Sequence, residues 1–330
     1  MSRLGLLAGP GTLRSRLVVI LALMLAAAAV GSAIGRLAES SKTSSPAVHA
    51  SLKPATATYL GVFEPGAPPG YGPVATFAQA TGRRPNLLGY YSGWAAPFDT
   101  GFAQLIQKHG ITPFVQIDPT DASVEQIATG TYDDYLRSYA DSVRDFGHAV
   151  VIGFGHEMNA SWYPWGFGHV PPATFVAAWR HVVTLFRGQG ADNVTWLWTL
   201  QADEAGTGPV SQWWPGDRYV TWVGIDGYYY HPSDTFSKVF GKTITQVHAF
   251  TSRPILLSET AIGPGVDDEY DAIQNLFRGM ADYKTLGLVW FDKTQHDGIY
   301  HQDWRIEDNE KGEISFRLGV SRELAPGPSS

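Results

Sequence analysis

The chain has 330 residues, no cysteine and a formal net charge of −7. Residues 1–53 carry six basic residues and one acidic residue, which leaves 18 basic and 30 acidic residues, a net charge of −12, for the remainder. A domain this acidic is a poor binder of nucleic acids and repels anionic polymers, so a neutral partner is favoured. The lack of cysteine excludes disulfides, thiolate chemistry and Cys-based zinc sites.

The N-terminal segment has the pattern of an export signal. Three arginines precede an uncharged apolar stretch over residues 17–35. That stretch approaches the roughly 20 residues that cross a bilayer, so residues 1–37 are predicted to be a signal peptide or a retained signal anchor. Residues 38–58 are mostly Ser, Thr, Ala and Pro, which predicts a flexible linker. The folded domain is therefore expected outside the cytoplasmic membrane, anchored through residues 17–35 or secreted.

From residue 59 onward, short apolar runs alternate with amphipathic segments. Eight runs predict strands: Tyr59–Phe63, Asn86–Tyr91, Ile111–Ile117, Val150–Phe154, Val194–Leu200, Val220–Ile225, Pro254–Ser258 and Leu286–Phe291. Five segments between them predict helices: Phe102–His109, Tyr132–Phe146, Pro172–Arg187, Phe236–Phe250 and Asp267–Tyr283. Continuous apolar strands that are separated by helices pair in parallel and are buried on both faces.

Eight strand–helix units predict a single (β/α)8 TIM barrel, an α/β fold, over residues 59–325, with a short tail at residues 326–330. A doubly wound open sheet is the alternative, but no glycine-rich phosphate loop follows the first strand. Barrel enzymes carry their chemistry at the C-terminal ends of the strands. Polar and aromatic residues collect at these ends: Trp94, Gln116, Asp118, His156, Glu157, Gln201, Asp226, Tyr228, Glu259, Trp290 and Asp292.

Two of these residues are carboxylic acids that each follow an apolar strand and have aromatic neighbours. Glu157 follows the fourth strand in a loop with two tryptophans and a tyrosine, and Glu259 ends the seventh. Retaining glycosidases use two carboxyl groups about 5–5.5 Å apart, one as acid and base and one as nucleophile. Strands four and seven face each other across an eight-stranded barrel, so both glutamates are predicted to flank one glycosidic bond.

Three sequence elements resemble glycoside hydrolase family 26, best known for endo-β-mannanases. They are His156–Asn159 with the tryptophans that follow it, the block from Trp214 to Tyr228, and Ser258-Glu259. The resemblance covers most of the barrel. It implies that Glu157 is the general acid and base and that Glu259 is the nucleophile.

The resemblance also implies which residues bind the substrate. Tyr228 is similar to the tyrosine that hydrogen-bonds the nucleophile, and His156 and Asp226 to polar residues around the cleaved sugar. Trp162 and Trp290 are similar to aromatic walls of the −1 subsite. Trp94 is expected to be a sugar platform at a negative subsite, with ordinary core packing as the alternative.

The expected activity is that of a retaining endo-β-glycanase on a neutral β-linked polysaccharide. The resemblance favours β-1,4-mannan, and β-1,3/1,4-glucan or β-1,3-xylan are alternatives within the family. A non-catalytic carbohydrate-binding barrel is a further alternative. A zinc-protease interpretation of His156-Glu157 fails because the residue four positions after His156 is Ala160. No cofactor and no metal are expected.

Overall fold

The computed structural model describes residues 51–52, 56–203, 206–295, 302–307 and 309–324. The predicted signal or anchor segment, most of the predicted linker and the tail lie outside the described residues, so these domain boundaries remain predictions. Within the described ranges, no helix is both long enough and apolar enough to cross a membrane.

Eight parallel strands close into a barrel in the order in which they occur in the chain. They are β1 Tyr59–Phe63, β2 Leu87–Gly93, β3 Thr112–Asp118, β4 Val150–Phe154, β5 Val194–Gln201, β6 Trp222–Asp226, β7 Ile255–Thr260 and β8 Gly287–Phe291. The barrel closes where β1 pairs in parallel with β8, from Tyr59 opposite Gly287 to Phe63 opposite Phe291. The predicted (β/α)8 fold is confirmed, and each predicted strand end lies within two residues of the observed one.

Helices surround the barrel. They are α1 Gly72–Thr81, α2 Thr100–Gln107, α3 Val124–Ala128, α4 Asp133–Phe146, α5 Pro172–Gly188, α6 Lys242–His248, α7 Glu269–Asp282 and α8 Glu310–Glu323. The sequence did not predict α1, α3 or α8. The helix predicted over residues 236–250 is present as a π-helical turn, Ser237–Gly241, that continues without a break into α6.

The interior of the barrel has an apolar floor at the N-terminal ends of the strands. This floor is a cluster of nine buried side chains: Tyr59, Leu87, Phe114, Val151, Leu197, Trp222, Leu256, Leu286 and Val289. Full burial of one such side chain stabilises the fold by about 1.5–3 kcal/mol relative to exposure. Leu52 packs against the floor from below, and its backbone N–H donates to Oγ1 of Thr195 at 3.0 Å.

Above the floor, the interior becomes polar. Gln116 on β3 reaches over the neighbouring strand β4 and donates to Oγ1 of Thr199 on β5 at 3.0 Å. Gly153 on β4 makes this crossing possible, since a Cβ atom there would lie 1.8 Å from Oε1 of Gln116. The polar layer supports the strand ends, where the predicted functional residues lie.

Candidate active site

The loop after β4 carries Glu157 in an uncommon backbone conformation. Gly155 and Glu157 have φ angles of 56° and 51°, in the left-handed region that few non-glycine residues adopt. A Cβ atom on Gly155 would lie 2.9 Å from the ring of Phe175, so glycine is required there. The backbone N–H of Glu157 donates to the carbonyl oxygen of Thr199 on β5 at 3.0 Å, which fixes the turn against the barrel.

Asn159 extends the pairing of β4 with β5 through its side chain. Its Nδ2 donates to the carbonyl oxygen of Gln201 at 2.8 Å, and its Oδ1 accepts the N–H of Gln201 at 2.9 Å. Both ends of the amide therefore bond to the backbone of Gln201 on β5, in the place that a backbone partner on β4 would otherwise take. The indole N–H of Trp165 holds the other side of the loop by donating to the carbonyl oxygen of His156 at 2.8 Å. These bonds leave the Glu157 loop little freedom.

The Glu157 side chain is 6% exposed and lies at the barrel mouth. The indole Nε1 of Trp162 donates to its Oε2 at 2.7 Å. Trp162 is itself half-buried, so part of its ring faces the open mouth. This tryptophan fixes the Glu157 carboxyl group and also offers an apolar surface next to it.

Glu259 enters the mouth through an irregularity in β7. The register of β7 shifts against both neighbouring strands, so that Glu259 lies opposite Asp226 of β6. Tyr91 of β2 donates to Oε1 of Glu259, and Tyr228, which follows β6, donates to Oε2 at 2.5 Å. Burial, followed by the charge of Glu259, raises the pKa of both tyrosines well above 10, so the phenols keep their protons and act as donors.

Three carboxyl groups converge in this mouth. One oxygen each of Glu157, Asp226 and Glu259 lies within 4.8 Å of the other two. Asp226 is fully buried, and the hydroxyl of Ser258 donates to its Oδ1 at 2.5 Å. Burial and the neighbouring Glu259 and Glu157 raise the pKa of Asp226 well above its ordinary range, so Asp226 holds a proton more readily than an exposed aspartate.

His156 lies beneath these acids between two partners. Its Nδ1 is 2.8 Å from Oδ1 of Asp118, and its Nε2 is 3.0 Å from the hydroxyl of Tyr163. Burial lowers the pKa of His156, but the attraction of Asp118 and of the mouth glutamates outweighs this effect and raises it to about 9. The imidazolium form therefore predominates at neutral pH and donates at both nitrogens.

The family model of glycosyl hydrolase family 26 matches residues 114–307, more than half of the chain. The chain belongs to glycosyl hydrolase family 26. The resemblance carried by the sequence elements around Glu157 and Glu259 is therefore confirmed.

Named relatives of this family 26 chain act on different glycans. Endoglucanase H of Acetivibrio thermocellus is 26% identical over 276 residues, which cover 77% of this chain and 29% of the relative. Mannan endo-1,4-beta-mannosidase A and B of Caldalkalibacillus mannanilyticus is 26% identical over 56% of this chain and 36% of the relative. The chain thus spans about a third of the length of these two relatives.

A solved structure shares the fold of this family 26 chain. A family 26 beta-mannanase from Bacteroides ovatus superposes with a TM-score of 0.61 and 16% identity, covering 83% of this chain and 92% of that one. At this identity the likeness shows the (β/α)8 fold alone.

Most residues predicted for the site meet at the mouth of the family 26 barrel, but Trp290 does not. Trp290 belongs to β8, and its side chain is fully buried on the outer face of the barrel, between the strands and the helices. There its ring contacts Phe316 of α8 at 5.2 Å, and its N–H donates to the carbonyl oxygen of Trp304. Its assignment as an aromatic wall is therefore wrong. Phe291, the next residue, is half-buried and contacts the ring of Tyr228 at 5.6 Å, so it faces the mouth instead.

Trp94 follows β2 and is half-buried. Its ring contacts Tyr135 of α4 at 5.0 Å and Tyr132 at 5.4 Å, so one side of the indole is packed. Its role as a sugar platform stays a prediction.

Two contributors to the site, Tyr91 and Tyr163, were not assigned a role from the sequence. Tyr91 belongs to a Tyr-Tyr pair in a strand that is buried on both faces, so the sequence pattern does not show which of the two faces inward. Tyr163 follows Trp162 in the same loop, and its aromatic neighbourhood is the signal that could have identified it. Asp118 was noted at the end of β3, but the sequence did not predict that it pairs with His156.

A second group of acids lies at the ends of β1 and β8. One oxygen each of Glu64, Asp292 and Glu307 lies within 4.8 Å of the other two, and the backbone N–H of Ile306 donates to Oδ1 of Asp292 at 2.9 Å. Burial and the two neighbouring acids raise the pKa of Asp292 to about 10. The pKa of Glu64 is raised to about 7, mainly by burial. Protons shared among these carboxyl groups therefore offset their mutual repulsion at neutral pH.

Proposed function

We propose that this family 26 enzyme hydrolyses a neutral β-linked polysaccharide by double displacement, with retention of anomeric configuration. The observation that carries the proposal is the approach of Glu157 and Glu259 to within 4.8 Å between carboxylate oxygens. An inverting enzyme needs about 6.5–9.5 Å between its carboxyl groups to admit a water molecule. The short separation therefore supports retention.

In the proposed reaction, Glu259 attacks the anomeric carbon while the bond from that carbon to the leaving oxygen breaks. Glu157 gives its proton to the leaving oxygen, and a glycosyl ester of Glu259 results. Glu157 then takes a proton from water, whose oxygen attacks the same carbon and releases Glu259 as a carboxylate.

The hydrogen bonds around the two glutamates support this division of roles. A nucleophile must be charged, and Glu259 accepts a bond from a protonated phenol on each oxygen. Glu157 accepts the indole N–H of Trp162, whose ring lies beside the mouth where a leaving group would depart. The charged His156 below offsets the negative charge that remains in the site.

The substrate contacts proposed for the site follow from what faces the mouth. The carboxyl group of Asp226 lies within 4.8 Å of both glutamates, so we propose that it acts next to the cleaved sugar. Trp162 offers its half-buried ring to the apolar face of a sugar. The sequence resemblance adds His156, Tyr228 and Trp94 to the proposed set of substrate-binding residues.

For the polysaccharide we propose β-1,4-mannan, because one curated relative is named as a mannan endo-1,4-beta-mannosidase. The second candidate is β-1,3/1,4-glucan, because the relative whose match covers 77% of this chain is named an endoglucanase. Product analysis on β-1,4-mannan, β-1,3/1,4-glucan and β-1,3-xylan distinguishes the candidates. Oligosaccharides of mixed length at early times indicate internal cleavage.

The catalytic assignment is tested with Glu259→Ala and Glu157→Ala on an aryl glycoside of the sugar that the wild type cleaves. Glu259→Ala is expected to abolish turnover, and azide to restore it with a product of inverted configuration. Glu157→Ala is expected to lose activity on the polysaccharide, and azide to give a product of retained configuration. Full activity of Glu259→Ala, or oligosaccharide binding by the wild type without any cleavage, contradicts the proposal.

A further inference from the structure

Two tyrosines from different sides of the barrel donate to the same carboxylate. Tyr228 lies just after β6 and donates to Oε2 of Glu259. Tyr91 lies in β2, which is separated from the strand of Glu259 by β1 and β8, and it donates to Oε1. Each oxygen of the proposed nucleophile therefore has its own phenol.

A stacked pair of phenylalanines connects these tyrosines. The rings of Phe63 and Phe291 lie 4.8 Å apart and within 9° of parallel. Tyr91 contacts Phe63 edge-on at 5.3 Å, and Tyr228 contacts Phe291 edge-on at 5.6 Å. The four rings form a continuous aromatic arc, whose two ends both bond to Glu259. Because each ring is held by its neighbour, both phenols are oriented before a substrate arrives.

Glu259 needs such donors because it shares the mouth with Glu157 and Asp226, whose oxygens lie within 4.8 Å. Like charges this close favour protonation of at least one acid in the group. Hydrogen bonds from neutral donors favour the charged form of the acid that accepts them. Two phenols on one carboxylate therefore stabilise the charged form that Glu259 needs as a nucleophile.

We propose that Tyr91 is a second positioning residue for the nucleophile, which acts with Tyr228 through the aromatic arc to hold Glu259 charged and in one orientation. The inference rests on the proposed function, because it gives Tyr91 a part in that reaction. Negative charge leaves Glu259 when its oxygen bonds to the anomeric carbon and returns when water displaces it. Donors on this carboxylate therefore also assist its departure in the second step.

The neighbouring residue, Tyr90, provides a matched control. Its side chain is 5% exposed, faces the helices and contacts the ring of Phe102 edge-on at 5.6 Å. Its hydroxyl has no hydrogen-bond partner among the residues that the structure describes. Tyr90→Phe and Tyr91→Phe thus remove the same atom from adjacent positions of one strand, and only the second removes a bond to Glu259.

The test is the pH profile of kcat/KM for the wild type, Tyr90→Phe, Tyr91→Phe and the double variant Tyr91→Phe/Tyr228→Phe. The assay uses β-1,4-mannan or β-1,3/1,4-glucan, whichever the wild type cleaves. In Tyr91→Phe the acid limb is expected to move to higher pH by roughly one unit, so that kcat/KM falls by up to about tenfold at pH values below the wild-type limb and by less near neutral pH. The double variant is expected to shift further, and Tyr90→Phe to follow the wild type.

Thermal unfolding of all four proteins checks that the variants are folded. An acid limb of Tyr91→Phe that coincides with that of an active wild type overturns the role of Tyr91 and leaves the proposed function intact. Equal shifts in Tyr90→Phe and Tyr91→Phe also overturn it, because they would indicate a packing effect on β2. A wild type that cleaves none of the β-linked glycans overturns the proposed function, and the inference with it.

Discussion

Nδ1 of His156 lies 2.8 Å from Oδ1 of Asp118, and both side chains are buried. Despite the opposing effect of burial, Asp118 and the mouth glutamates raise the pKa of His156 to about 9. The pKa of His156 in the folded state exceeds the ordinary 6.5. The charged His156 therefore stabilises the fold fully below pH 6.5, and this stabilisation is lost as the pH rises through about 9.

Asp118→Asn is expected to remove this stabilisation. Because it leaves a buried histidine without its counter-charge, we expect the free energy of unfolding to fall by about 3 kcal/mol at pH 6 and by less at pH 9.5. Urea unfolding at the two pH values measures the difference. Asp134→Asn, at a fully exposed position, is the control, with an expected change within about 0.5 kcal/mol. A loss of equal size at both pH values would show that the charge of His156 is not involved.

Asn159→Ala is expected to damage both stability and activity. The substitution leaves the buried N–H and carbonyl groups of Gln201 without the partners that Asn159 supplies. We expect a loss of about 2–4 kcal/mol in the free energy of unfolding. Since Glu157 lies two residues earlier in the same turn, kcat should fall at temperatures where the variant is still folded. An unchanged kcat would contradict a positioning role for this amide.

Asp292→Asn is expected to make the stability of the fold less sensitive to alkaline pH. The pKa of Asp292 is raised to about 10 and that of Glu64 to about 7, in both cases mainly by burial. An acid with a raised pKa stabilises the fold fully below its unfolded value, and this contribution is lost as the pH rises through its folded value. The unfolding temperature of the wild type should therefore fall between pH 5 and pH 9.5, and that of Asp292→Asn should fall less.

Differential scanning calorimetry of the two proteins measures this difference. Asp121→Asn, at an exposed position, serves as the control and should follow the wild type. Parallel curves for the wild type and Asp292→Asn would exclude proton sharing by Asp292 as a source of the pH dependence.

Gly153→Ala is expected to disturb the polar layer below the site. Its Cβ atom would lie 1.8 Å from Oε1 of Gln116, so Gln116 must move and lose its bond to Thr199. We expect a loss of roughly 2–3 kcal/mol, measured by urea unfolding. Gly188→Ala is the control, because nothing lies within 4 Å of the added atom at the end of α5. That variant should be neutral or gain up to about 1 kcal/mol, and an equally mild Gly153→Ala would contradict the steric requirement.

The strand pattern and the segment from His156 to Asn159 allowed the barrel and the position of Glu157 to be predicted. Long apolar runs separated by helices fit few folds, and a barrel brings the ends of its strands to one mouth. The convergence of Glu157 and Glu259 followed from this geometry, although the two residues are far apart in the sequence.

The facing of individual strand residues could not be predicted in the same way. Because β8 is buried on both faces, its sequence lacks the polar and apolar alternation that tells inside from outside. Trp290 was assigned to the mouth, and Phe291 faces it. The same ambiguity in Tyr90-Tyr91 concealed the second donor to Glu259. Partners that meet only through the fold, such as Asp118 and His156, also needed the structure.

Leu52 packs under the barrel floor, at the opposite pole from Glu157 and Glu259. The polypeptide therefore enters the domain at the end remote from catalysis. If the apolar residues 17–35 act as the predicted anchor, the domain is attached to the bilayer by its base. The attachment then lies on the side of the barrel opposite the mouth, so the tether does not start beside the two glutamates.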